Sequence, residues 1–205
     1  TVLVDSIIAD AGQFCTKPGV IFCPSSLIEE TIRIMNLRFN QTPCHPMLHP
    51  TIQNRYQTRL HEIQTTSVGT LHQGKADEFG APQGFLHVSH IEFNTNKTLT
   101  QEVFGPFCIL VEYLDMDPIE KTLSLLQGQL TTTIIGRNPQ ESKLYSIACS
   151  SAGRIILNGV PTGVSVVPAM HHGGPYPASS DSRFTSVGEA SILRFVRYVS
   201  VQKLP

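Results

Sequence analysis

The apolar positions of the first forty residues change period twice. Val4, Ile7, Ile8 and Ala11 are spaced as one face of a helix, and Gly12 ends that spacing. Val20-Ile21-Phe22-Cys23 is an unbroken apolar run, which predicts a short buried strand. Pro24-Ser25-Ser26 then offers an N-cap to a helix with apolar positions at Leu27, Ile28, Ile32, Ile34 and Met35. Three prolines in residues 41–50 exclude a helix interior there. Helical spacing resumes over residues 51–64 through Ile52, Tyr56, Leu60 and Ile63, and the four glycines of residues 69–84 predict a loop with a short strand at most.

Beyond that loop the period alternates. Strands are predicted over residues 85–93, 107–113, 130–135 and 154–157. Helices are predicted over 115–127, with an acidic first turn, and over 141–150. The apolar positions of 26–35 and 119–126 read as core faces. The alternation predicts an α/β fold, a largely parallel sheet flanked by helices. Residues 158–185 form a long Gly/Pro/Ser-rich loop, of the kind that carries function in compact domains. A short helix over 186–194 and a terminal strand over 195–201 complete the chain, with no internal repeat.

The 205 residues make one large domain or two small ones, with 40% apolar and 15% charged content. A net charge of −1, without basic or acidic blocks, argues against nucleic acid or a membrane surface as partner. No apolar run approaches the roughly 20 residues that span a bilayer. The opening TVLVDSIIAD has neither an initiator Met nor a basic leader, and its immediate helical spacing reads as a chain cut from something longer. Five cysteines, at 15, 23, 44, 108 and 149, without a CxxC, suggest reduced thiols and a cytoplasmic location.

Two stretches carry candidate chemistry. GQFCTKPG, residues 12–19, places Cys15 where an apolar stretch ends and a turn begins. Gly12 allows close backbone approach there, and Lys17 offers a charge that favours thiolate. Taken alone, such a cysteine is more often a structural or incidental thiol. EVFGP, residues 102–106, sets a carboxylate two residues before Phe104, just ahead of an apolar strand. Ligands gather at strand ends in such sheets; a carboxylate accepts hydrogen bonds from ribose hydroxyls and a Phe covers a flat ring. Alone, so short a stretch is more often a helix-end Glu followed by a turn.

In this order and near this separation, GQFC and EVFGP resemble the aldehyde dehydrogenase superfamily. GRIILNGVPTGV (153–164) followed by HHGGPYPASSDSRFTSVG (171–188) is similar to one branch of it. That branch contains the 2-oxoglutarate semialdehyde (2,5-dioxovalerate) dehydrogenases and an NADP-dependent fatty-aldehyde dehydrogenase. The resemblance runs from Asp10 to the C-terminus and departs at Lys17, where the superfamily usually has a small residue or Asn.

The resemblance implies an α/β aldehyde dehydrogenase catalytic domain over residues 1–195 and a C-terminal oligomerisation strand over 196–205. It implies NADP or NAD as cofactor, an aldehyde (a semialdehyde such as that of 2-oxoglutarate) as substrate, and a homo-oligomer. Cys15 matches the nucleophile that forms a thiohemiacetal and then a thioester, with its own N–H as half of an oxyanion hole. Glu102 matches the residue that holds the nicotinamide ribose, and Phe104 the one beside the nicotinamide. The loop from Gly159 to Gly174 matches the segment closing the aldehyde entrance, which includes His171; Arg183 is a candidate partner for a substrate carboxylate. In the family the general-base Glu, in a Glu-Leu-Gly-Gly motif, the oxyanion-hole Asn and the Rossmann-like cofactor domain lie upstream of the cysteine. The sequence holds no Glu-Leu-Gly and no GxGxxG. The expectation is the C-terminal catalytic portion of a longer enzyme, with its N-terminal domain as partner and no turnover by this piece alone.

Three other readings are weaker. Cys44, His45, His49 and Cys23 lack the tight ligand pairs of a zinc site, so no metal is expected, and His171-His172 in a Gly/Pro loop also fit solvent-facing residues. A papain-like cysteine hydrolase would pair Cys15 with one of eight histidines, but the Cys-Gly-Ser-Cys-Trp context is missing and the chain has no Trp. A non-catalytic assembly module would use RFVRYVSVQ, residues 194–202, to extend a neighbour's sheet.

Overall fold

The computed structural model describes residues 2–74 and 80–204, so part of the expected loop over 69–84 lies outside the described residues. Two compact units emerge, Thr1–Leu125 with Gly159–Thr162, and Leu126–Asn158 with Gly163–Pro205.

The first unit is built on a four-stranded sheet. Its strands are β1 (Val20–Pro24), β2 (Thr70–Gln73), β3 (Gly84–Ser89) and β4 (Phe107–Tyr113), in the order β1-β4-β3-β2. β4 runs parallel to both β1 and β3, with Leu110 opposite Ile21 and Ile109 opposite Leu86; only β2 is antiparallel to its neighbour. Phe107 through Val111 are all buried, as befits a central parallel strand covered on both faces. Five helices accompany the sheet: α1 (Val2–Ile8), α2 (Ser25–Gln41), α3 (Pro50–Thr66), α4 (His90–Thr95) and α5 (Met116–Leu125).

The core explains why α2 forms where it does. Ile28, Ile32, Met35 and Phe39 recur at helical spacing, and they pack with Val4 and Ile7 of α1 and with Cys23, Phe85, Cys108 and Leu110 of the sheet. Phe39 stacks on Phe85 at 5.9 Å between ring centres. Leu27, counted among the apolar positions in the sequence, is instead exposed. The expected serine cap is also absent. Ser25 lies inside α2, and its hydroxyl donates to the Tyr113 carbonyl at 3.0 Å, tying the helix start to the end of β4.

The strand expected over 85–93 stops at Ser89. There the hydroxyl accepts from the Glu92 N–H at 3.2 Å and starts α4, so Phe93 reaches the core from a helix.

In the second unit β5 (Gln129–Ile134) pairs in parallel with β6 (Ala152–Leu157), and α6 (Lys143–Ser151) connects them. Ser142 caps α6, accepting from the Leu144 N–H at 3.1 Å. The His-His-Gly-Gly-Pro segment crosses the starts of both strands at very short range. A Cβ on Gly128 would lie 2.0 Å from the Pro175 carbonyl oxygen, and one on Gly153 would lie 2.3 Å from that of Gly173. These glycines permit backbone to touch backbone. A 3-10 helix, Glu189–Arg194, stands where a short helix is expected.

The terminal strand expected over 195–201 is corrected. These residues form no strand, and Phe195, Tyr198 and Val201 are 82%, 98% and 90% exposed. A strand exists only against a partner edge, and among the described residues none pairs with this segment. No helix among the described residues is long and apolar enough to cross a membrane.

Candidate active site

The thiol turn is assembled by an abrupt reversal after α1. Asp10, Ala11 and Gly12 take φ values of 47°, 54° and 69° in succession, a conformation that strains the two non-glycine residues. Gln13 fastens the reversal at two points. Its side-chain amide donates to the Asp10 carbonyl at 2.8 Å, and its Oε1 accepts from the Leu48 N–H at 3.0 Å. The Lys17 N–H then closes on the Phe14 carbonyl at 3.1 Å, which leaves Cys15 exposed within the turn.

Exposure separates the cysteines. Cys23, Cys44 and Cys108 are buried, whereas Cys15 and Cys149 are exposed. Burial pushes the Cys108 thiol up to about 12, which keeps it protonated and unreactive.

EVFGP meets this turn directly. A Cβ on Gly12 would lie 2.1 Å from the Gly105 carbonyl carbon and 2.3 Å from the Pro106 nitrogen. One on Gly105 would in turn lie 2.4 Å from the Tyr56 ring. Tyr56 is itself fixed, its hydroxyl donating to the Pro82 carbonyl at 2.5 Å. The two sequence stretches are thus packed glycine against glycine, with a buried tyrosine behind. Within the loop, Val103 is buried, Glu102 is exposed and Phe104 is half-buried. A carboxylate and a ring surface therefore remain accessible beside the turn that exposes Cys15.

Lys17 reaches from the thiol turn to the EVFGP loop. Its amine donates to the Val103 carbonyl at 3.1 Å and the Phe107 carbonyl at 2.5 Å. Burial pulls it down to about 8, partly offset by the nearby Cys108 and Glu102.

Gly159 belongs to the same unit, in a segment held by α1. The Thr162 hydroxyl donates to the Ser6 carbonyl at 2.8 Å, and the buried Ser6 hydroxyl donates to the Thr162 oxygen at 2.5 Å. His171 and Arg183 lie in the other unit. Arg183 is already engaged, its guanidinium gripping both Asp181 carboxylate oxygens at 3.0 and 2.7 Å and holding that carboxyl down to about 2. Next to His171, His172 is lowered from the usual histidine range, first by burial and then by Arg154 and His171. Its N–H donates to the buried Thr185 hydroxyl at 3.0 Å. Among the described residues no three His, Cys, Asp or Glu side chains gather as metal ligands.

Sequence reasoning missed Gln13, Tyr56, Ser6 and Thr162, all of which position the site. Gly12 signalled a close backbone approach in the sequence, without saying what approaches.

No protein-family model matches the chain. Over 214 aligned positions it is 34% identical to alpha-ketoglutaric semialdehyde dehydrogenase 2 of Azospirillum brasilense, covering 100% of this chain and 40% of that protein. Over 199 positions it is 36% identical to alpha-ketoglutaric semialdehyde dehydrogenase of Acinetobacter baylyi, covering 93% of this chain and 38% of that one. The chain thus spans about two fifths of the length of these curated relatives. Among solved structures, proline utilization A from Bdellovibrio bacteriovorus superposes with a TM-score of 0.79 over 94% of this chain and 20% of its own, at 16% identity. Aldehyde dehydrogenase 21 from Physcomitrella patens superposes with a TM-score of 0.70 over 84% of this chain and 37% of its own, also at 16% identity. At such identities the superpositions speak to fold alone. The sequence alignment runs the whole length of the chain, through both stretches that the fold packs together, so all of the chain matches a part of these semialdehyde dehydrogenases.

Proposed function

We propose that this chain is the cysteine-bearing catalytic part of an NAD(P)-dependent aldehyde dehydrogenase that oxidises a semialdehyde, of the 2-oxoglutarate semialdehyde kind, to the acid. The observation that carries the reading is the contact of Gly12 with Gly105, which joins the turn that carries an exposed thiol to the loop that carries an exposed carboxylate and a half-buried ring. That donor set suits a nicotinamide riboside. Glu102 would accept from its ribose hydroxyls and Phe104 would cover the ring. Bound there, NAD or NADP supplies the acceptor for a hydride.

The share of the chemistry that falls to this chain is centred on Cys15. The Cys15 thiolate attacks the aldehyde carbon, a C–S bond forms, and the carbonyl oxygen becomes an oxyanion that the Cys15 N–H stabilises. Departure of hydride from that carbon leaves a thioester on Cys15. Water then adds, the C–S bond breaks, the acid leaves and the thiol is restored. Both curated relatives are named for alpha-ketoglutaric semialdehyde, an aldehyde with a carboxylate at its far end. Arg183 meets such a carboxylate already half neutralised by Asp181, so any contribution requires the two carboxylates to share it. The loop from Gly159 through His171 is assigned to the aldehyde entrance. The reading includes a cytoplasmic homo-oligomer and an N-terminal cofactor domain as partner, and no turnover by the 205 residues alone, which hold no Glu-Leu-Gly general-base motif.

Two measurements test it. Mild iodoacetamide labelling followed by mass spectrometry should modify Cys15 ahead of Cys149. The full-length protein should oxidise 2-oxoglutarate semialdehyde with NAD or NADP and lose that activity as Cys15→Ala. Hydrolysis of a peptide ester without NAD(P) would instead favour the cysteine-hydrolase reading.

A further inference from the structure

Lys17 occupies an uncommon position for a lysine. Its amine is desolvated, and it donates to two backbone carbonyls, those of Val103 and Phe107. These carbonyls bracket Phe104-Gly105-Pro106, the stretch that lies against Gly12. Glu102 stands near enough for its charge to act on the amine. A buried ammonium carries a desolvation penalty that an apolar side chain of the same length does not. If only packing were needed, a Met would fill the same space.

We infer that Lys17 is a positioning residue: its amine ties the loop that presents Glu102 and Phe104 to the turn that presents Cys15, and so sets the affinity for the nicotinamide cofactor. The inference rests on the functional reading above. The lysine touches no reacting atom. It acts through the carbonyls on either side of the ring-bearing residue, where a loop shift moves the Glu102 carboxylate and the Phe104 ring together. The Cys15 turn has its own fastenings, the Gln13 bonds and the Phe14–Lys17 backbone bond, which a change at the lysine side chain leaves in place.

The separation of those two supports gives the test. In the full-length enzyme, Lys17→Met should raise KM for NAD(P) about tenfold, the loss expected for charge-assisted hydrogen bonds to one loop. KM for the aldehyde and the rate of Cys15 alkylation by iodoacetamide should stay within roughly twofold, because their supports remain. Lys17→Gln, which keeps an N–H donor at shorter reach, should fall between wild type and Lys17→Met, and it replaces Lys17→Met should that variant not fold. Cofactor KM unchanged in a folded variant overturns the inference. So does a parallel change in both KM values, the alkylation rate and the melting temperature, which would mark Lys17 as a purely structural residue. A wild-type enzyme that oxidises no aldehyde with NAD(P) overturns the functional reading, and this inference with it.

Discussion

Gly12 has a positive φ and no room for a Cβ, two independent reasons for the side chain it lacks. Gly12→Ala should destabilise the protein by about 2 kcal/mol or more, by urea unfolding, and remove the preference of iodoacetamide for Cys15. Lys17 adds a pH dependence at the same scale. Its amine falls from 10.5 to about 8 on folding, so between those values the unfolded chain holds more protons than the folded one. Stability therefore rises with pH across that window, by up to about 3 kcal/mol for this group. The stability difference between wild type and Lys17→Met should shift in favour of wild type on going from about pH 8 to 10.5, and urea unfolding at both values checks it. The residue types of the site were legible in the sequence. A thiol at a turn, a carboxylate two residues before a Phe and a Gly-Pro step each carry their chemistry in their names. What was not legible is that Gly12 lies on Gly105 and Gly105 on Tyr56, because contacts between distant positions leave no local pattern.

Elements were read well where one face is buried and poorly where a single hydroxyl decides a boundary. α2 owes its register to Ile28, Ile32, Met35 and Phe39, of which the first three follow from spacing and Phe39 emerges from the core. Phe39→Ala should cost about 3–5 kcal/mol, while Leu27→Ala, at a position 57% exposed, should stay within about 0.5 kcal/mol; denaturant midpoints separate the two. The end of β3 shows the opposite case. Alternation continues past Ser89, yet Ser89-His90-Ile91-Glu92 has the Ser-x-x-Glu form of a capping box, and the cap overrides the alternation. That signal was present and outweighed by period.

At the scale of the whole molecule, the unpaired stretch after Arg194 is the largest departure from expectation. Six apolar side chains from Phe195 to Leu204 stand exposed, and the alternation of RFVRYVSVQ finds no edge among the described strands. In the proposed homo-oligomer this segment would bury its apolar face by adding to another copy's sheet. Removing residues 196–205 from the full-length protein should shift it towards smaller species by light scattering, whereas an unchanged mass would exclude this segment from assembly. The glycine contacts around the His-His-Gly-Gly-Pro segment have a different reach. Gly128, Gly153 and Gly174 meet other backbone so closely that none of them has space to vary, while Ser165 to Ala169 are exposed in the long loop that holds Gly174. If the loop lines the aldehyde entrance as proposed, divergence in substrate range is channelled: freedom lies in the exposed stretch from Ser165 to Ala169, and almost none where the loop crosses the strands.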